Sequence, residues 1–343
     1  MKKGLVAIFI FSLALLLVFA NNLTFNPSES FIKFSVSLSL SNYFPHISPP
    51  VNSLSKEHLI LLGSLPPAPK DKKKEPPLEE DLFFEEEYKS LIPQNIEEIN
   101  IKKGGTSLFG IEINNETEYN LENAFYEKKF SKNTSVLIVH THTSEAYRPS
   151  EKYLYEPKDN QRSEDINFNV AKVGSRLYEC LKEKGIDIVH DKTINDYPSY
   201  SGSYSKTLKL IESHLKKNPS INIVLDLHRD AMEKSDGTKL STVCEINGEK
   251  AAQIMIVVGT DQSGLPHSNW RSNFSFAVLL QKAMEEKYPG IMRPINVRCE
   301  RFNGHASENE IIIEIGTTGN TLEEALVSAE ALSYGLAEII KDS

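Results

Sequence analysis

Cysteine is nearly absent from this chain. Its 343 residues hold only Cys180, Cys244 and Cys299, widely spaced and without a CxxC pair. That excludes a disulfide framework and a cysteine-built zinc knuckle, and an odd count leaves at least one thiol with no partner inside the chain. Cys180 falls in a helical pattern and reads as a small core residue. Positive charge is in deficit as well, with a formal net charge of -9. A nucleic-acid partner calls for a basic patch, so that class of function is set aside. No internal repeat is present. An apolar fraction of 40% with 9% aromatic residues is ordinary for a globular protein. The length suits one large domain or two small ones.

The amino terminus carries the first positive signal. Lys2 and Lys3 precede an apolar run from Leu5 to Ala20 that only Ser12 interrupts. A charged start followed by such a run is an export signal or a membrane anchor. Its length lies between a signal peptide's core and the ~20 residues of a full span. Val18-Phe19-Ala20 offers a cleavage site, so removal and retention of residues 1–20 are both open. Either way, the positive-inside rule keeps Lys2 and Lys3 in the cytosol and puts everything after Asn21 outside the cytoplasmic membrane. Residues 21–107 read as stalk and lead-in. Within them, from Pro66 to Glu87, proline pairs bracket a basic and then an acidic run, the composition of a solvated tether. Residues 108–343 have the pattern of a folded domain.

In that domain short apolar runs alternate with amphipathic stretches. VLIVH (136–140), IDIVHD (186–191), INIVLDLH (221–228), INVRCERF (295–302) and EIIIEIG (310–316) read as strands, with Ile111-Glu112-Ile113-Asn114 as a further candidate. Helical spacing covers 167–185, which stops at Gly185, then 203–217, 269–288 and a closing stretch 321–340. STVCEI and AQIMIVVG flank Asn247-Gly248, a hairpin signal. Strands alternating with helices predict an α/β fold, a mostly parallel sheet with helices on both faces.

The active site of such a sheet lies at the carboxyl ends of its strands, and three strands end in ionisable residues. The first runs into His140-Thr141-His142-Thr143-Ser144-Glu145, the second ends in Asp226, His228, Arg229 and Asp230, and the third carries Glu314. A histidine at one strand end is more often a structural hydrogen-bonder than a ligand. Histidines arriving from two strands beside a carboxylate suit a catalytic zinc, which takes three protein ligands and leaves one position open. His140 and His142 are two apart and share a side if the backbone stays extended. Glu145 follows within one short turn. Glu314 stands among isoleucines, where a carboxylate is costly unless paired, for example with Arg229, or unless burial raises its pKa for acid–base work. Asp226 shares the face of His228, Arg229 and Asp230 are candidates for orienting the ligands or for a local ion pair, and Arg229 alternatively for holding a substrate carboxylate. A loop could bring His305 near the same place. His190, His214 and His267 read as surface residues.

HTHTSEAY, INIVLDLHRDA and FNGH…EIIIEIGTTGNTLEEA together resemble the stage II sporulation protein P family, with NVAKVG, VHDKT and SYSKT in matching order. The resemblance covers roughly residues 108–343. More distantly the chain is similar to zinc N-acetylmuramoyl-L-alanine amidases, in which a final E-x-G strand carries the catalytic glutamate. The resemblance implies an amidase-like fold and a membrane-held, zinc-dependent enzyme that strips stem peptides from peptidoglycan during forespore engulfment, with endopeptidase activity on cross-links as well. It implies two partners, the lytic transglycosylase stage II sporulation protein D and the membrane protein stage II sporulation protein M. By the family pattern the first-motif histidine and His228 are zinc ligands and Glu314 is the acid–base. His142, lying beyond the strand, is preferred to His140. Glu145 is the local choice of third ligand. In the distant amidases that carboxylate precedes an Asn-x-x-Ala helix, where this chain has Glu164 and Asp165. The family's Asn-Gln-His reads Asn303-Gly304-His305 here. The rival expectation is a non-catalytic module of the same fold that binds stem peptides and recruits or activates a partner hydrolase.

Overall fold

The computed structural model describes residues 91–93, 95–158 and 161–341. The expected membrane segment, residues 21–64 and the tether 66–87 lie outside the described residues. Among the described helices none is long and apolar enough to cross a membrane. The strands are β1 Ile96–Ile99, β2 Thr106–Leu108, β3 Ile111–Asn115, β4 Ser135–Val139, β5 Ile188–His190, β6 Ile221–Asp230, β7 Lys239–Ile246, β8 Glu249–Ala252, β9 Ile254–Gly259, β10 Ile295–Arg298 and β11 Glu310–Thr317. The α-helices are α1 Val170–Glu183, α2 Ser203–Lys217, α3 Trp270–Lys287 and α4 Leu322–Lys341.

The α/β class holds, but the sheet is mixed rather than mostly parallel. Its order is β2-β3-β10-β9-β11-β6-β4-β5. Strands β11, β6, β4 and β5 form one parallel block, and β9, β10 and β3 form a second. The blocks meet antiparallel at β9 and β11, and β2 folds back antiparallel on β3. The cause lies at Asn247-Gly248, whose φ angles of 53° and 84° are those a two-residue hairpin demands. The turn pairs β7 with the short β8, and only Gln253 separates β8 from β9. Thus β9 reaches the sheet from a hairpin, without the long crossover that a parallel neighbour requires. The hairpin expected between STVCEI and AQIMIVVG is therefore closed by β8, while β1 and β8 flank β7 in a separate three-stranded sheet.

Period-two alternation decides what each face of the sheet meets. Val136 and Ile138 of β4 join the large core that includes Val173 and Leu177 of α1, whereas Leu137 and Val139 pack with Ile211 of α2. In the second block and the adjoining β11, Ile113, Ile254, Ile256, Ile295, Val297, Ile311 and Ile313 all join Phe274 and Val278 of α3 in that large core. The alternate residues, among them Asn114, Met255, Val257, Asn296, Ile312 and Glu314, line an open groove. The expectation of helices on both faces is met only over β4 and β6, where α2 lies on the second face.

Candidate active site

The carboxyl ends of β4, β6 and β11 come side by side, and the register places Glu314 opposite His228 and Ile312 opposite Asp226. His142, Glu145, His228, Arg229, Asp230 and Glu314 all line one groove of about 1090 Å³. The two first-motif histidines part company, because β4 stops at Val139 and a turn follows. The turn breaks the shared side that extended backbone would impose. His140 stays behind the site, with Nδ1 against the Leu227 carbonyl at 3.0 Å and Nε2 against His190 Nε2 at 2.8 Å. Gly174 of α1 makes room for this pair: a Cβ there would lie 2.6 Å from His190 Nε2. His142 faces the groove, its ring stacked on Tyr200 with centroids 4.2 Å apart and set edge-on to His228 at 5.3 Å.

His228 is held between two carboxylates. Its Nδ1 lies 3.3 Å from Glu145 Oε2 and its Nε2 3.1 Å from Asp226 Oδ1. Asp226 is itself fixed by the Thr141 amide at 2.7 Å and the Thr141 hydroxyl at 2.5 Å. Burial opposes charge on His228, but Asp226 and Glu145 outweigh it and raise its pKa well above the usual value. Burial also works against the charged Glu145. The His228 charge, their hydrogen bond and the nearby Arg229 prevail and hold that carboxyl at about 2. Burial lowers His142 and pushes Glu314 up to about 8, with His228 only partly offsetting the latter. The expected alternative for Glu314, a pair with Arg229, is not what forms. Arg229 points to the other side of β6 and donates to the carbonyls of Ala146 and Gln161, while its amide donates to Glu145.

Two imidazoles and a carboxylate are a zinc donor set, and three atoms of the site, His142 Nδ1, His228 Nε2 and Glu314 Oε2, are buried without a hydrogen-bond partner. Among the described residues no three His, Cys, Asp or Glu side chains converge on one point as a closed ligand cage. Of His142, His228 and Glu145, the last lies on His228 Nδ1 and the first stands edge-on to the His228 ring. By donor chemistry and orphaned atoms the three fit a zinc ion. Glu164 lines the same groove but pairs with Lys158, and Asp165 accepts from the Asn167 amide.

Other expected residues lie apart from this centre or at its edge. Asp230 lines the edge of the groove and pairs with Arg293, 2.8 Å away. His305 is absent from the groove lining and faces His267, with ring centroids 6.5 Å apart. His190 and His267, read from sequence as surface residues, are respectively half-buried behind the site and 1% exposed. Sequence reasoning passed over Arg162, Asp196, Tyr200 and Tyr204. Asp196 accepts from the Ser144 amide at 3.0 Å and from Arg162 at 2.5 Å, which ties the first motif to the loop after β5. The position of that loop, at the carboxyl end of a strand next to β4, was the signal available.

Fold and groove together define an α/β protein with a polar centre at its strand ends, built from two histidines, a low-pKa carboxylate and a high-pKa one. The family described as Stage II sporulation protein P (SpoIIP) matches residues 65–340, and the chain belongs to that family. A relative, Stage II sporulation protein P of Bacillus subtilis (strain 168), is 28% identical over 221 residues, which are 61% of this chain and 51% of that protein. The chain thus spans about half the length of the curated relative it matches. Among solved structures, the CwlD amidase from Clostridioides difficile, in complex with the GerS lipoprotein, aligns with a TM-score of 0.39 at 11% identity, covering 61% of this chain and 100% of that one. The N-acetylmuramyl-L-alanine amidase Ami1 from Mycobacterium smegmatis gives 0.36 at 10% identity, covering 63% and 100%. Likeness of that degree leaves the chemistry of the groove to be read from its own residues.

Proposed function

We propose that this chain is a zinc-dependent peptidoglycan hydrolase of sporulation that cuts the amide between N-acetylmuramic acid and the L-alanine of the stem peptide. Family membership supports the sporulation setting. The observation that carries the chemistry is Glu314, a carboxyl raised to about 8 by burial, with one oxygen unpartnered and His228 as its neighbour across the sheet. A group with that proton affinity takes a proton from an attacking water and returns it to the leaving amine. Zinc, held by His142, His228 and Glu145, would supply the polarised carbonyl and the activated water. Asp226 orients the His228 ring, and the stacked Tyr200 fixes the plane of His142. Arg162, Lys158 and Lys239 on the groove wall attract substrate carboxylates.

The same reading keeps the catalytic body outside the cytoplasmic membrane, tethered through residues 1–20, with stage II sporulation proteins D and M as partners. It starts that body ahead of β1, since β1 pairs with β7. The test is mass spectrometry of fragments that the full chain releases from purified peptidoglycan. Free stem peptides are expected. Un-cross-linked muropeptides alone would assign the centre to endopeptidase cleavage, and no release by zinc-loaded protein would overturn the hydrolase reading in favour of the binding module.

A further inference from the structure

A second groove, of about 470 Å³, opens from the first and shares Tyr204, Asp230 and Glu314 with it. Its floor is the half of the sheet that α2 leaves uncovered, with Ile312 of β11 and Met255 and Val257 of β9 giving an apolar strip. Along its side stand two polar groups with unmet bonding capacity. Arg293 is 7% exposed and uses Nη1 on Asp230, yet its Nε is buried with no partner, as is Asn296 Oδ1. One orphan is a donor and the other an acceptor, the two kinds of partner that a peptide backbone needs. From β11 across β9 and β10 to Asn114 of β3 is three strand spacings, about 14 Å, the length of about four extended residues.

Resting on the hydrolase reading, we propose that this uncovered sheet face is the subsite for the stem peptide in extended form. Arg293 and Asn296 would bind its backbone, and the apolar strip would take its small side chains. Buried polar atoms that lack partners in the free protein gain most when a ligand supplies them. Lys103 and Arg298 stand at the groove's rim, where the peptide's carboxylates arrive, with Arg298 also paired to Glu116 and Glu300.

The experiment is a series of soluble muramoyl peptides with stems of two to five residues, hydrolysed by the full chain and by Asn296→Ala and Asn114→Trp, which narrows the groove at β3, the end farthest from Glu314. For the wild type kcat/KM should rise with stem length. Each variant should lose roughly tenfold on the longest stem, mostly in KM, the worth of a buried hydrogen bond or two, while the shortest stem is cut as before. Rates independent of stem length in the wild type, or equal losses on short and long stems, would overturn the subsite and leave the hydrolase reading intact. No cleavage of any stem by zinc-loaded wild type would overturn both.

Discussion

Two clusters of histidine and glutamate meet strand β11, and only one has the properties of a reaction centre. At the carboxyl end, His228 sits between Asp226 and Glu145, and Glu314 borders an open groove. Four residues earlier on β11, on the same side of the strand, Glu310 lies near His267 and Asn273 with Oε1 unpartnered. Both nitrogens of His267 are unpartnered as well, and burial lowers it to about 4, with His305 and Arg301 adding to the shift. Burial likewise raises Glu310 well above the carboxylate range. There the groups are driven neutral, whereas at the strand end two carboxylates favour positive charge at His228, a proton's or a bound cation's. Gly304 keeps the second cluster closed, since a Cβ there would lie 2.6 Å from His267 Nε2. Residue type alone does not make a centre; a carboxylate pair and access to solvent do.

The comparison breaks most sharply at the two glutamates. Glu314→Gln should lower release of stem peptides by about 10²–10⁴-fold, the usual worth of a positioned acid–base group, while Glu310→Gln stays within a few-fold of wild type. Equal losses in a peptidoglycan release assay would erase the distinction. The histidines give the next contrast. His228→Ala should abolish the near one-to-one zinc content expected of the loaded full chain, and His267→Ala should keep it, by metal analysis of both purified variants. Retention of zinc by His228→Ala would remove His228 from the ligand set.

How much of this was legible in the sequence follows from the range of the interactions involved. Strand β6 and helix α2 were readable because apolar spacing is local, and the strand-end histidines were readable because strands α/β folds leave their polar ends together. The preference for His142 over His140 came from the expected end of the strand; in the structure alternation keeps His140 on the side of Val136 and Ile138, against Gly174, and the turn at 141–144 carries His142 to the groove. The mixed sheet was not legible, because the direction of β9 depends on a hairpin closed by β8, a four-residue strand with two charged residues. Nor were Arg162 and Asp196, whose link to Ser144 spans 18 and 52 positions of sequence.

The smallest expected effects concern the closed cluster, and their signs are opposite. His267 has a folded pKa of about 4, below the unfolded 6.5. The folded state therefore binds fewer protons than the unfolded one between those values, and stability falls as pH drops through that window. Glu310, raised in the folded state, binds more protons than the unfolded chain above 4.5, so its contribution is lost as pH rises. Urea unfolding of Glu310→Gln should accordingly show a stability gain over wild type that grows from pH 4.5 towards neutrality. His267→Asn should show one that grows as pH falls from 6.5 to 4, with slopes bounded by about 1.4 kcal/mol per pH unit for one proton. Asp261, Arg301 and His305 are the charged or titratable groups acting on His267, and Asp226 and His228 those acting on Glu310. A flat difference for either variant would mean that its group titrates alike in the folded and unfolded chain, and the contrast between the two clusters would then rest on access to the groove alone.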